Sequence, residues 1–202
     1  MTDGSGLVSG ERLAAVSGIV RYPEHVRAGP QTVDCRRHDR RMSSHTRVNL
    51  RELTDANRAE LLALRVAPGQ ERFVGSVAGA LEDAAAYPLA NPWYRGVYAD
   101  EEPVGFVMLS WDCVPRPPEI IGPWFLWKLL IDEGHQHHGY GREVVRLVAD
   151  LVRSGGAEEL LTSHFPGLEG GPGPFYERLG FVPTGDLDAA GEIILRLDLR
   201  NR

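Results

Sequence analysis

HQHHGYGREVVRLVADLV, residues 135–152, places three histidines, two glycines and a tyrosine directly before an apolar pattern of helical period. The stretch follows WFLWKLLID, an apolar run that is typical of a buried strand. Two glycines two residues apart let the backbone turn tightly, and the start of a helix adds a partial positive charge. These features favour a cradle of backbone amides for a phosphate or a pyrophosphate.

The three histidines raise the alternative of a metal site. Adjacent His137 and His138 would point in different directions, and no cysteine or carboxylate cluster completes a ligand set with His135. We therefore expect no metal here, and a solvated loop for these side chains. The spacing Q-x-x-G-x-G also differs from the dinucleotide fingerprint G-x-G-x-x-G, and it lacks the Lys-Ser/Thr pair of a P-loop.

Composition limits the class of protein. The chain has 202 residues, 43% of them hydrophobic and 25% charged, which is typical of a globular protein with one well-filled core. No apolar run reaches the roughly 20 residues of a membrane span, and the N-terminus lacks a signal-peptide pattern. Cys35 and Cys113 are too far apart to suggest a disulfide framework, so we expect a cytoplasmic protein. The net charge of −6 argues against nucleic acid and favours cationic small molecules.

Two parts of the chain differ in pattern. Residues 1–44 are rich in Gly, Ser, Arg and His without apolar periodicity, which predicts a flexible extension, with a basic docking arm as the alternative. Residues 45–202 predict one domain: a strand, two helices, a hairpin, then strand–helix–strand–helix–strand. The expected class is α/β, with a mixed, mostly antiparallel sheet of six to seven strands flanked by about four helices.

The Q-x-x-G-x-G spacing, its place between a strand and a helix, and FYERLGF about 35 residues downstream resemble the GCN5-related N-acetyltransferase (GNAT) superfamily. Within it, LTDANRAELLALRV, VGFVML, LLID and GDLDAAGEIILRLDL are most similar to bacterial spermine/spermidine acetyltransferases. This resemblance implies an enzyme that binds acetyl-CoA and transfers its acetyl group to an amine. It also implies that backbone groups near the end of the strand and in the loop hold the cosubstrate, namely those of Leu130, Ile131, Gln136, His137, His138, Gly139, Tyr140, Gly141 and Arg142.

The resemblance gives Tyr176, in FYERLGF, the role of the acid that protonates the CoA sulfur. The alternative is that Tyr176 only packs its short helix against the core. Many polyamine acetyltransferases carry a glutamate where this chain has Trp127, which is either a face for a cationic substrate or a core residue. A tryptophan cannot accept a proton. The expected base is therefore Glu82, Asp83 or Glu119, or a water chain that ends at one of these carboxylates. Asp83 is also expected to contact the substrate.

The leading hypothesis is an acetyl-CoA-dependent N-acetyltransferase that acts on a primary amine of a small molecule such as spermidine or spermine. One alternative keeps the reaction and changes the acceptor to an antibiotic, an amino acid or a protein amine. The other is an acyl-CoA sensor without turnover. By analogy with the superfamily we also expect a possible homodimer, and we expect neither nucleic acid nor membrane as a partner.

Overall fold

The computed structural model describes residues 46–167 and 169–200. The predicted extension, residues 1–44, lies outside the described residues, so the domain boundary near residue 45 stays a prediction. The strands are β1 (Val48–Arg51), β2 (Pro92–Ala99), β3 (Glu102–Ser110), β4 (Phe125–Ile131), β5 (Glu159–His164), β6 (Val182–Leu187) and β7 (Ile193–Asp198). The α-helices are α1 (Arg58–Ala63), α2 (Glu71–Val74), α3 (Val77–Ala86), α4 (Tyr140–Ser154) and α5 (Gly173–Arg178).

The strands form one sheet in the order β1-β2-β3-β4-β5-β7-β6. All neighbours are antiparallel except β4 and β5, which are parallel because α4 connects them. The expected α/β class with a mixed, mostly antiparallel sheet is confirmed. None of the helices in the described part of the chain has the length and apolar character needed to cross a membrane.

Helices cover both faces of the sheet. On one face, α4 buries Val144, Val145, Val148 and Val152 in a core that also contains Tyr176 of α5. On the other face, α1 and α3 pack Leu61 and other apolar side chains against β2, β3 and β4. Strands β2, β3 and β4 therefore contribute alternate residues to these two cores.

Two elements differ from the expectation. The predicted second helix is split into α2 and α3 because Gly75 has a φ of 72° and Ser76 caps the new helix by accepting the N–H of Gly79. The order read from the sequence also lacks β6. Its six residues are exposed and include Pro183 and Gly185, so β6 shows neither alternation nor strand propensity.

The parallel strands β4 and β5 pair only through the first two residues of β4 and the middle of β5. The ladder joins Phe125 to Leu161 and Leu126 to Thr162, and no further pair follows. Beyond Leu126, the edge of β4 that faces β5 therefore has no strand partner among the described residues. The strands separate there and open a wedge in the middle of the sheet.

Candidate active site

The wedge between β4 and β5 is the centre of a cleft of about 880 Å³. A bulge widens it: Lys128 pairs with Met108 and Leu126 with Leu109, so that Trp127 has no residue opposite. A bulge re-aims the side chain and bends the strand away from its neighbour. The cleft thus runs from the start of α4, past the open edge of β4, to the loop that contains Glu119 and the turn between β6 and β7.

The start of α4 forms one end of the cleft. His137 and Gly139 have φ values of 66° and 84°, and α4 begins without a side chain that caps its first turn. Left-handed residues next to a helix start bring successive N–H groups towards one point, and a 15-residue helix adds its dipole. Gly139, Gly141 and Arg142 line the cleft here. The arrangement can bind a phosphate or a pyrophosphate through backbone amides.

Two side chains of the loop brace it from outside the amide cradle. The Gln136 amide donates to the Ile131 carbonyl at 3.1 Å and to Gln70 Oε1 at 2.8 Å. His135 places its two ring nitrogens 3.2 Å from Asp132 Oδ1 and 3.2 Å from Glu102 Oε1. Gln136 and His135 therefore fix the loop to the surrounding chain.

The Asp132 carboxylate anchors the end of β4. Burial opposes its ionisation, but the backbone N–H groups of Arg65 and Gly134, together with His135, outweigh burial and lower the pKa of Asp132. The described residues contain no group of three or more His, Cys, Asp or Glu suited to a metal ion. Of the three histidines of the loop, His135 contacts Asp132.

Tyr176 lies where the strands separate. Burial raises the pKa of Tyr176 to about 12, against a hydrogen bond with the Thr162 hydroxyl that lowers it, and the charge of Glu192 raises it further. Thr162 in turn donates to the Leu126 carbonyl at 3.0 Å, the last paired residue of β4. Tyr176 is thus held as a neutral hydroxyl next to the wedge, and it lines the cleft.

The end of the cleft opposite to the start of α4 is acidic, and it is called the acceptor end below. Its lining includes the carboxyl groups of Asp83, Glu119, Asp188 and Glu192. Asp83 lies 3.1 Å from Lys128 Nζ, so its charge is balanced within the cleft. Beside this pair, the rings of Tyr87 and Trp127 meet edge to face at 5.9 Å. A cation of a small acceptor would find both carboxylates and aromatic surface here.

The structure brings most of the predicted residues into one cleft. Those that line it are Trp127, Asp83, Glu119, Tyr176, Ile131, Gln136, His137, Gly139, Tyr140, Gly141 and Arg142. Three others do not line it. Glu82 is exposed on α3, since its neighbour Asp83 takes the inward position, and His138 stacks on Tyr140 outside the cleft lining. Leu130 is buried in the α1/α3 core, because side chains alternate along β4.

Several lining residues were not singled out from the sequence. Leu129 lines the cleft next to the predicted Ile131. Ser163, Asp188 and Glu192 meet at the acceptor end, although 29 residues separate Ser163 from Glu192. The sequence signal for the carboxylates of Asp188 and Glu192 was the acidic segment GDLDAAGE. Its position relative to β5 is fixed by the pairing of β5 with β7.

Comparisons with known proteins agree with this geometry. The family described as Acetyltransferase (GNAT) domain matches residues 93–183. A spermine/spermidine N(1)-acetyltransferase of Bacillus subtilis is 29% identical over 153 residues, which cover 75% of this chain and 99% of that protein. A Thermus thermophilus acetyltransferase structure has a TM-score of 0.57 at 20% identity, covering 77% of this chain and 99% of its own.

A third similar protein is the PaiA N-acetyltransferase of Thermoplasma acidophilum, solved in complex with coenzyme A. It has a TM-score of 0.51 at 14% identity and covers 75% of this chain and 99% of its own. At these identities the solved structures support the fold alone. The family match over residues 93–183, the relatives of Bacillus subtilis, the fold and the amide cradle at the start of α4 together support a resemblance of this chain to the GCN5-related N-acetyltransferase superfamily.

Proposed function

We propose that this N-acetyltransferase moves the acetyl group of acetyl-CoA to a primary amine of a polyamine such as spermidine or spermine. The observation that carries the proposal is the cleft itself, with an amide cradle at one end and carboxylates at the other. The cradle suits the anionic cosubstrate, and the carboxylates suit a cationic acceptor. Between them, the separated strands leave room for the two to meet.

The residues present fit acetyl-CoA. The backbone amides of Gly139, Tyr140 and Gly141 would hold its pyrophosphate, with the Arg142 guanidinium beside them. The unpaired edge of β4, at Leu129 and Ile131, offers backbone donors and acceptors to its amide-containing arm. When bound, acetyl-CoA supplies an activated acetyl thioester.

The protein's own groups position the reactants and move protons. Because the pKa of Tyr176 is about 12, its hydroxyl is protonated at neutral pH and can donate to a departing thiolate. The Thr162 hydroxyl, fixed by the Leu126 carbonyl, orients the Tyr176 hydroxyl.

Charge supports a polyamine acceptor over a neutral or anionic one. Glu119, Asp188 and Glu192 line the acceptor end, and the whole chain carries a net charge of −6. The named activity of the Bacillus subtilis relative is spermine/spermidine N(1)-acetylation, and it aligns over three quarters of this chain. A homodimer and a cytoplasmic location stay predictions.

An aromatic or rigid amine, such as an antibiotic, is the second candidate acceptor. The edge-to-face pair of Tyr87 and Trp127 favours it, because flat apolar surface binds rings better than flexible chains. Lys128 beside this pair also lowers the local negative charge.

Thiol release from acetyl-CoA with spermidine, spermine, an aminoglycoside and amino acids tests the proposal. We expect turnover with the polyamines, and a Tyr176→Phe variant whose kcat is lower by about 10²–10³. Tyr94→Phe is the matched control, because Tyr94 stacks on Phe106 outside the cleft lining. Turnover with aminoglycosides alone would favour the second candidate. Binding of acetyl-CoA without turnover on any amine would contradict both and favour a sensor.

A further inference from the structure

The side chains of Thr162 and Ser163 lie on opposite faces of β5, next to the wedge. Successive side chains of a strand point to opposite faces. The neighbouring residues show which faces these are: Leu160 is buried in the core with α4 and Tyr176, whereas Leu161 is buried with Ile121 and Phe125. Thr162 therefore shares its face with Tyr176, and Ser163 lies on the acceptor face.

Ser163 holds a carboxylate on that acceptor face. Its hydroxyl donates to Glu192 Oε2 at 2.5 Å, while Asp188 Oδ2 is more distant at 3.3 Å. A serine hydroxyl has one proton to donate, so the shorter contact with Glu192 takes it. Glu192 directly precedes β7 and is half-buried at the cleft lining. Among the described residues, its other oxygen, Oε1, makes no hydrogen bond.

The other carboxylates of the cleft are engaged or misplaced for proton transfer. Asp188 Oδ1 accepts the backbone N–H groups of Ala190 and Glu192, both at 2.9 Å, and so fixes the turn that carries Glu192. Asp83 is paired with Lys128. Glu119 is exposed in its loop, with no side-chain hydrogen bond to another described residue that would orient it. Glu192 is the cleft carboxylate that is both oriented and open on one side.

We propose that Glu192, oriented by Ser163, accepts the proton of the acceptor amine on the face of β5 opposite to Tyr176. This inference rests on the proposed acetyl transfer and names its base. Glu192 and Tyr176 both line the cleft, and the charge of Glu192 raises the pKa of Tyr176. Acid and base would then flank the wedge from opposite faces of one strand.

The proton balance is complete with these two groups. The amine nitrogen forms a bond to the acetyl carbonyl carbon, and the bond between that carbon and sulfur breaks. The nitrogen reacts as the neutral amine, after its ammonium proton has passed to solvent, and it loses one further proton to the Glu192 carboxylate. The sulfur gains one proton from the Tyr176 hydroxyl. The products are the N-acetylated amine and the free thiol, and water returns both side chains to their starting protonation states.

Glu192→Gln tests the base, because glutamine keeps the shape and the acceptor for Ser163 but cannot take a proton at neutral pH. We expect kcat with spermidine to fall by about 10²–10³, with the acceptor KM changed less than about threefold. Glu192→Ala should lose as much activity and regain part of it with added formate, a small carboxylate that can enter the vacated space. Asp186→Asn, an exposed residue of β6 outside the cleft lining, is the matched control and should keep full activity.

Ser163 is a positioning residue in this scheme. Ser163→Ala should lower kcat by about five- to tenfold, Ser163→Thr should restore it, and Ser163→Ala should have no further effect in Glu192→Gln. A Glu192→Gln variant with unchanged kcat, or with a loss confined to the acceptor KM, would overturn the assignment of the base. So would failure of formate to rescue Glu192→Ala. These outcomes leave the proposed function intact when the wild-type protein turns over; a wild-type protein inactive on every amine would refute the function itself.

Discussion

The side chains of Thr162 and Ser163, consecutive residues of β5, serve opposite faces of the sheet at the point where β5 leaves β4. Thr162 lies on the face of the buried Tyr176 and lowers its pKa, whereas the Ser163 hydroxyl donates to the half-buried Glu192. Tyr176 of α5 therefore lies on one side of β5, and Glu192, directly before β7, lies on the other.

The raised pKa of Tyr176 predicts how stability depends on pH. Below pH 10 the folded and unfolded states are both protonated at this site, so the stability is fully present. As pH rises towards about 12, the unfolded tyrosine ionises first and stability is lost. Between pH 9 and 11.5 we expect the wild-type protein to lose about 2 kcal/mol that Tyr176→Phe does not lose. Urea unfolding of both proteins at several pH values measures this difference, and parallel pH curves would contradict it.

Gly139→Ala should weaken binding of acetyl-CoA. Gly139 has a φ of 84°, and an added Cβ would meet nothing within 4 Å, so the change acts through the backbone that aims the amides. We expect the Kd for acetyl-CoA to rise by about tenfold in isothermal titration calorimetry. Affinity for acetyl-pantetheine, which has no pyrophosphate, should be unchanged.

Gly156→Ala is the matched control for the cradle. Gly156 also has a positive φ, 98°, with nothing within 4 Å, but it follows the far end of α4. Both variants should lose roughly 1 kcal/mol of stability, since an L-residue is strained in this region. Equal effects of the two variants on the Kd would mean that the loop does not bind the pyrophosphate.

Gly105→Ala should destabilise the sheet beside the cleft. A Cβ at Gly105 would lie 2.3 Å from the Leu130 carbonyl oxygen, so β3 and β4 would have to move apart. We expect a loss of about 2 kcal/mol or more in thermal or urea unfolding. Gly79→Ala in α3 should be neutral or stabilising by up to about 1 kcal/mol, because its Cβ has ordinary contacts and alanine favours helix. An unchanged Gly105→Ala protein would show that this close approach is relaxed in solution.

Lys128→Met should improve binding of polyamines. In the wild-type protein Asp83 lies 3.1 Å from Lys128 Nζ. The substitution removes this cation from the acceptor end and leaves the Asp83 carboxylate free to attract the substrate. A change of about 1 kcal/mol corresponds to a KM for spermidine lower by roughly fivefold, and the gain should fade at high salt. Arg58→Met, at an exposed position of α1, changes the net charge equally and should leave the KM unaltered. A higher KM in Lys128→Met would argue for an anionic or rigid acceptor.

The sequence predicted the elements whose signals are local. The apolar run before residue 132, the glycine spacing of the loop and the apolar face of α4 each lie within one short segment, and the structure has β4, the cradle and α4 there. Tyr176 came from a motif of seven residues. By contrast, β6 has no apolar face to reveal it, and the split at Gly75 depends on a single backbone angle.

The chain pattern alone determined the class of fold and the glycine-containing loop before α4, because apolar periodicity and backbone chemistry act over a few residues. The acid role of Tyr176 came from the resemblance to a known family and stays a prediction. Only the tertiary structure decided which carboxylates reach the cleft. Glu82 and Asp83 differ by one helical step, and Ser163 meets Glu192 because β5 and β7 pair antiparallel in a fixed register. That register results from burial of two cores at once, a property that no short segment contains.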